Sequence, residues 1–171
     1  MNIFKLCIYT LLSMLTLGCS YSVFSNQLPH LKNIYIVPIE NSSEEVNIEV
    51  EMFDNISNEF VNDGRLRIVS QLPDCELECK ILDYKDVIYT YDQANNVKEY
   101  QVKILFSVKF IDMITNEIVY ERPNLLKTER YPADEDDPDY TDSTVINEYA
   151  AREEIFKDIF RDIMSNTLEA W

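Results

Sequence analysis

The stretch EYQVKILFSVKFID, residues 99–112, alternates between apolar and polar side chains over more than ten positions. Such a period of two is typical of a β-strand with one face buried and one face exposed to water. The side chains predicted to point into the core are Tyr100, Val102, Ile104, Phe106, Val108 and Phe110. A strand of this length needs partner strands and a second layer to cover its apolar face.

The segments around this strand supply both requirements. Further strands are predicted at 33–40, at 65–70, at 75–92 with a bulge near Asp83, and after 117 with a break at Pro123. QANN (93–96) is predicted to form a hairpin turn. With two amphipathic helices, the order is β-α-β-β-β-β-α. It predicts an α+β two-layer sandwich with a mostly antiparallel sheet of four or five strands.

The two predicted helices each carry one apolar stripe. In the first, Ser42 or Ser43 is the predicted cap, Gly64 the predicted stop, and the stripe comprises Val46, Val50, Phe53, Ile56 and Phe60. The second is predicted to begin near Asp142 or Ser143, and its stripe comprises Val145, Tyr149, Phe156, Ile159, Phe160, Ile163 and Met164.

The first eighteen residues have the three zones of a secretory signal peptide: a basic start with Lys5, a core of twelve mostly apolar residues, and Gly18 directly before Cys19. The apolar core is too short to span a bilayer as a helix. The alternative is a buried N-terminal helix of the domain. We interpret residues 1–18 as signal peptide, 19–32 as a tether and 33–171 as one α+β domain.

Gly18-Cys19 behind a leucine-rich core resembles the lipobox of bacterial lipoproteins, although Thr16 stands where leucine is usual. The resemblance implies that the Cys19 thiol receives a diacylglycerol and that the new amino group is acylated, for example with palmitate. Several acyl chains would hold the protein stably on its membrane. Ser20 in place of Asp favours sorting to the outer membrane.

Charge and composition exclude several functions. The formal net charge is −16, and because Lys5 is the only charged residue in 1–18, the chain from Cys19 carries −17. This charge disfavours nucleic acid as a partner. The chain has two glycines, too few for a phosphate-binding loop. Its single histidine, His30, is predicted to be a loop residue, and no nucleophile motif suggests an enzyme.

No cofactor or metal site is predicted. Cys75 and Cys79 lie about 13 Å apart on a strand, too far for a disulfide, and are predicted to be small buried thiols. The acidic loop around 134–139 resembles an EF-hand only loosely, because Asp142 stands where the turn requires Gly. Whether this loop binds a cation stays open.

Aromatic residues cluster around the predicted central hairpin, and they are either ordinary sheet residues or a surface for a lipid or a partner. The candidate contact residues are Tyr89, Tyr91, Lys98 and Tyr100.

Three segments carry a resemblance to a known family. GCSYSVFSNQLPHLKNIYIVPIEN, FVNDGRLRIVS and YTYDQANNVKEYQVKI together resemble the LPS-assembly lipoprotein family, LptE. The likeness runs over residues 18–120. It implies two helices on one face of the sheet and no enzymatic activity.

The same resemblance implies an outer-membrane lipoprotein that plugs the β-barrel LptD, assists its assembly and helps lipopolysaccharide reach the outer leaflet. The domain would face the periplasm or lie in the barrel lumen. Family members are thought to contact lipopolysaccharide through a base at the hairpin tip. Asp92 stands there in this chain, with Lys98 as the nearest cation, which argues against lipopolysaccharide binding at that point.

The alternative function is a lipid-anchored periplasmic module that activates cell-wall synthases. The short tether between Cys19 and the first strand favours a partner in or at the membrane.

Overall fold

The chain folds into a six-stranded sheet with two helices, as a computed structural model describes it for residues 28–136, 140 and 144–169. The strands are β1 Asn33–Ile36, β2 Glu40–Asn41, β3 Arg67–Ile68, β4 Cys75–Tyr91, β5 Val97–Asp112 and β6 Glu117–Pro132. The helices are α1 Ile48–Asp63 and α2 Glu148–Thr167. The predicted α+β sandwich is confirmed, and the short β2 adds one strand to the predicted order.

The sheet is mixed, and its long strand pairs are antiparallel, as predicted, whereas its short pairs are parallel. Its order is β3-β1-β4-β5-β6, with β2 also paired to β4. β1 runs parallel to both β3 and β4, and β2 runs parallel to β4. The other two pairs, β4–β5 and β5–β6, are antiparallel. Parallel pairing of β1 and β3 follows from the α1 crossover between them, because a helix returns the chain to the same end of the sheet.

Strands β4, β5 and β6 form a long meander. The predicted bulge is confirmed, since the register between β4 and β5 shifts between Ile81 and Asp83. The predicted break at Pro123 is instead an irregularity inside a continuous β6, where Phe106 pairs with Leu125 and Val108 pairs with Arg122. β6 is an edge strand, where proline is tolerated.

The core lies between the helices and one face of the sheet. Val102, Ile104, Phe106, Val108 and Phe110 of β5 are fully buried, as their alternation predicts. The Phe106 ring lies edge-on to Phe156 of α2, with 6.4 Å between centroids. Phe60 of α1 meets Phe160 of α2 in the same manner at 4.9 Å. Through these contacts α2 packs against the sheet, and α1 packs against α2.

The buried stripe of α1 differs from the prediction. It consists of Ile48, Met52, Ile56 and Phe60. Val46 and Val50 are 77% and 54% exposed. Neither Ser42 nor Ser43 caps the helix, which begins after Asn47 at φ 66°. The observed stripe repeats strictly every four residues, whereas the predicted one includes Val46, which precedes the helix. Gly64 ends the helix at φ 72°, as predicted.

Helix α2 begins later than predicted. Asn147 is the cap, and its side chain accepts a hydrogen bond from Ala150 N at 3.0 Å. The first helical residue is Glu148. Asp142 and Ser143, where the start was predicted, lie outside the described residues. Tyr149 is 51% exposed, and Ile155 is buried in addition to the predicted stripe.

Candidate functional site

The chain enters the described structure at one end of the sheet. Leu31 is fully buried, and the Asp74 carboxylate accepts hydrogen bonds from Lys32 N at 2.9 Å and Asn33 N at 2.8 Å. His30 Nε2 lies 2.6 Å from Oδ2 of Asp112, the last residue of β5. His30 is therefore a connecting residue, as predicted, but it is tied to a buried carboxylate.

The two described cysteines lie near this end and are free and buried. Burial raises the pKa of each thiol to about 12. The prediction of small buried thiols is confirmed, and such thiols are poor nucleophiles at neutral pH.

The β4–β5 hairpin forms the opposite end of the sheet and carries the predicted contact residues on two different faces. Tyr100 pairs with Tyr131 of β6, and their rings stack with 5.4 Å between centroids. Tyr89 lies at a register shift of β4 and packs its ring under the Arg130 guanidinium at 4.7 Å. Tyr91 is 56% exposed. The four predicted residues therefore do not form one cluster.

Tyr100 stacks on a tyrosine that makes a polar contact on the helix side of the hairpin. The Tyr131 hydroxyl donates to Asp86 Oδ2 at 2.7 Å. The pKa of Tyr131 is raised above its ordinary value, mainly by burial and in second place by this hydrogen bond. Burial also raises the pKa of Asp86, although the Tyr131 hydrogen bond opposes the shift. These contacts bind β6 to β4 across the hairpin, so Tyr100 and Tyr131 stabilise the sheet.

Arg152 of α2 joins both helices to the hairpin, a role that the sequence did not indicate. Its guanidinium donates to Glu51 of α1 at 3.0 Å and to Glu148 at 2.7 Å. Tyr84 of β4 hydrogen-bonds the same Glu148 carboxylate. Burial opposes the charge of Arg152, but the hydrogen bonds to Glu51 and Tyr84 outweigh it and raise the pKa of the guanidinium.

The hairpin tip is organised by Asp92. Its carboxylate accepts hydrogen bonds from Ala94 N and Asn96 N, both at 2.8 Å, and from Asn96 Nδ2 at 3.0 Å. The pKa of Asp92 is lowered, mainly by the hydrogen bond from the Asn96 side chain and then by the one from the Asn96 backbone N–H. The predicted turn is confirmed, and Asp92 is the residue that closes it. A shallow cavity of about 370 Å³ lies beside the turn, and its lining includes Lys98, Asp92 and Asp134.

Two predictions fall wholly or partly outside the described residues. Cys19 lies outside them, as do Asp137 to Asp139 of the acidic loop. Within the part that the structure describes, no three His, Cys, Asp or Glu side chains are grouped to hold a metal ion. None of the described helices is long and apolar enough to cross a membrane.

Comparison with known families decides what this fold belongs to. The sequence model of the LptE family, described as lipopolysaccharide-assembly, matches residues 31–167. The chain is a member of the LptE family. The match extends from the start of the sheet to the end of α2, so it covers both described helices and all described strands of this LptE protein. At the family level, the chain is therefore a lipopolysaccharide-assembly protein.

Comparison with solved structures finds similar chains among distant proteins. The hypothetical protein CT253 of Chlamydia trachomatis is 12% identical, with a TM-score of 0.57, and the match covers 82% of this chain and 99% of that one. An uncharacterized lipoprotein B of Nitrosomonas europaea is 12% identical, with a TM-score of 0.49 and coverage of 78% and 80%. At this identity the first likeness shows a shared fold alone. No curated protein matches the chain.

Proposed function

We propose that this chain is a non-enzymatic outer-membrane lipoprotein, anchored through acyl chains on Cys19, that plugs an LptD-type β-barrel. In that position it assists assembly of the barrel and helps lipopolysaccharide reach the outer leaflet. The family match over residues 31–167 is the observation that carries the proposal.

The arrangement of the two ends of the sheet supports this role. His30 and Lys32, at the end of the proposed tether, are tied to Asp112 and Asp74 at one end of the sheet, whereas the Asp92–Asn96 turn lies at the other end. β4 has 17 residues, which corresponds to a length of roughly 50 Å between these ends. A protein held by lipid at its first end can thus extend its hairpin well beyond the membrane surface.

The proposed partner is the wall of a barrel lumen. Across the hairpin, the Tyr131–Asp86 and Tyr100–Tyr131 contacts join three strands into one unit, which favours a hairpin that keeps its shape on docking. Tyr89 and Tyr91 remain 46% and 56% exposed beside it, and exposed tyrosines are common in protein interfaces. We assign Tyr89, Tyr91 and Lys98 to the contact surface and Tyr100 to its support.

Affinity purification from detergent-solubilised membranes of the native host tests this function. The proposal predicts recovery of a large β-barrel in about equal molar amount. Recovery of periplasmic cell-wall synthases without a barrel would instead support the alternative function. Labelling with a fatty-acid analogue tests the anchor separately, because Cys19→Ala should abolish incorporation while Cys75→Ala should leave it intact.

A further inference from the structure

Two loops at the end of the sheet where the described chain begins carry exposed apolar side chains. They are residues 69–73, between β3 and β4, and residues 113–116, between β5 and β6. Leu72 is 92% exposed, the highest value among the exposed large apolar side chains of the described residues. Met113 and Ile114 are 44% and 58% exposed. We call these two loops the base loops.

Hydrogen bonds hold the base loops side by side. Met113 N donates to the Asp74 carbonyl oxygen at 2.9 Å, which joins the second loop to the residue that follows the first. The buried Asp112 carboxylate accepts a hydrogen bond from Ile114 N at 2.8 Å and contacts His30 Nε2. Both loops are therefore fixed to the end of the sheet, next to the segment that leads into β1.

Leu72 has an unfavourable backbone conformation and an unfavourable side-chain environment in water. Its φ is 51°, in the left-handed region that residues other than glycine adopt only at a cost. Its side chain is almost fully exposed, although transfer of a leucine side chain from water to an apolar medium is favourable. Both features favour a partner outside the described chain that takes up this side chain.

The base loops contain no charged residue, in contrast to the other end of the sheet. Their sequences are VSQLP and MITN, in a chain of net charge −16. At the other end, the β4–β5 turn is flanked by Asp92 and Lys98, and the acids of residues 134–136 follow Ala133, whose N–H donates to the Lys98 carbonyl oxygen. Because transfer of a charge to an apolar medium is costly, the base loops are the end that suits contact with hydrocarbon.

The charged residues next to the base loops are compatible with such a contact. The Asp74 carboxylate accepts hydrogen bonds from Lys32 N and Asn33 N, and Asp112 is buried. Glu117 is exposed, but it lies in β6 rather than in the turn. The exposed side chain of Lys32 is long enough to keep its charge in water while its aliphatic part lies against an apolar surface, and the same holds for the exposed arginine of β3.

We propose that the base loops enter the interface of a lipid bilayer, with Leu72 and Ile114 against the acyl chains. The position of the loops favours a lipid surface as the partner, because only nine residues, 19–27, separate Cys19 from Leu28 and these span at most about 30 Å. The inference rests on the proposed function in that an acylated Cys19 brings this end of the domain to a membrane. The contact is with uncharged hydrocarbon, and it determines which end of the domain lies at the membrane surface.

Fluorescence quenching with the acylated full chain in phosphatidylcholine vesicles tests the proposal. Gln71→Cys in the first base loop and Gln93→Cys at the hairpin tip are matched exposed positions at opposite ends of the sheet, and each carries a thiol-linked fluorophore. Wild-type protein treated in parallel reports any labelling of native thiols. With nitroxides on the lipid acyl chains, quenching at position 71 should be at least about twice that at position 93.

Two double variants in the Gln71→Cys background identify the side chains responsible. Leu72→Ser with Ile114→Ser should lower the quenching to the level at position 93. The matched control, Val46→Ser with Val50→Ser, removes two side chains that are 77% and 54% exposed at the start of α1 and should leave the quenching unchanged. Thermal unfolding should be the same for both double variants and the wild type, because all four side chains are exposed.

Three results would overturn the assignment: equal quenching at positions 71 and 93, unchanged quenching in the Leu72→Ser, Ile114→Ser variant, and equal loss of quenching in the control variant. Flotation of the chain with the vesicles and incorporation of a fatty-acid analogue report the anchor, and recovery of the barrel reports the partner. A chain that is acylated, floats and recovers the barrel but shows equal quenching at both positions would contradict the role of the base loops alone. Failure of the proposed function is thus distinguishable from failure of this inference.

Discussion

His30 Nε2 lies 2.6 Å from Oδ2 of Asp112, and this contact fastens the segment before β1 to the end of β5. The Asp112 side chain is buried, and its other oxygen accepts hydrogen bonds from Ile114 N at 2.8 Å and Thr115 N at 3.1 Å. Asp112 thereby joins the β5–β6 turn to the segment that precedes β1.

The Asp112 contacts predict a pH-dependent contribution to stability. Burial alone would raise the pKa of this carboxyl, but the hydrogen bonds from His30, Thr115 and Ile114 outweigh it and lower the pKa. A carboxyl with a lowered pKa stabilises the fold above its unfolded pKa of about 4, and this stabilisation is lost as the pH falls through the folded value.

Asp112→Asn should therefore cost about 1.5–3 kcal/mol at pH 7 and less as the solution is acidified toward pH 3. Urea unfolding at several pH values measures this. The exposed Asp54→Asn serves as control, with an expected change of no more than about 0.5 kcal/mol. An Asp112→Asn loss that stays constant down to pH 3 would contradict the assignment.

Removal of Arg152 should weaken the attachment of the two helices to each other and to β4. Because the Arg152 side chain is only 15% exposed and its loss leaves Glu51 without its cation, Arg152→Met should cost about 2–4 kcal/mol in urea unfolding. Arg161 also contacts two acids on α2 but is 58% exposed, so Arg161→Met should cost at most about 1 kcal/mol. Equal costs for the two variants would show that Arg152 is not a helix-joining residue.

The buried thiols predict protection from alkylation. Since the pKa of both Cys75 and Cys79 is raised to about 12, iodoacetamide at pH 8 should leave them unmodified in the folded protein. In strong denaturant both should be alkylated, and peptide mass spectrometry locates the label. Rapid labelling of Cys79 in native buffer would be inconsistent with its burial.

Gly64 should contribute to the stability of the fold only through its backbone conformation. It ends α1 at φ 72°, and a Cβ added there would meet no atom within 4 Å. Gly64→Ala should therefore cost about 1–2 kcal/mol, the penalty of the left-handed conformation, and Gly64→Asn should cost less. Thermal unfolding compares them. An equal cost for both variants would point to a cause other than φ.

The strands could be predicted from the sequence better than their neighbours in the sheet. The β5 alternation and the irregularity near Asp83 are local patterns, and the structure has both. The parallel pairing of β1 with β4 depends on contacts between distant residues, which periodicity does not encode. In α1, Val46 and Val50 satisfied a helical spacing, but the start of the helix at Ile48 decides which face is buried.

The sequence indicates which residue types the candidate site contains, but it does not indicate how their side chains are arranged. The tyrosines of the hairpin were recognisable, but their separation onto two faces follows from the register shifts of β4 between Ile88 and Tyr91. The stacking of Arg130 on Tyr89 joins residues 41 positions apart through two strand pairings, so no short-range motif signals it. Asp92 stands where the family resemblance implies a base, and its carboxylate closes the turn by accepting hydrogen bonds from Ala94 N and Asn96 N.

Site-specific photocrosslinking in the native host tests most directly whether the hairpin end docks in a barrel. A photoreactive residue replaces Asn95 at the tip or, as a matched control, Asn116 in the β5–β6 turn at the opposite end of the sheet. Both positions have φ near 60° in exposed turns. The account predicts an adduct between the Asn95 variant and a large outer-membrane β-barrel, and a weaker one or none from Asn116. An Asn95 adduct with soluble periplasmic proteins only, in cells that contain the barrel, would contradict it.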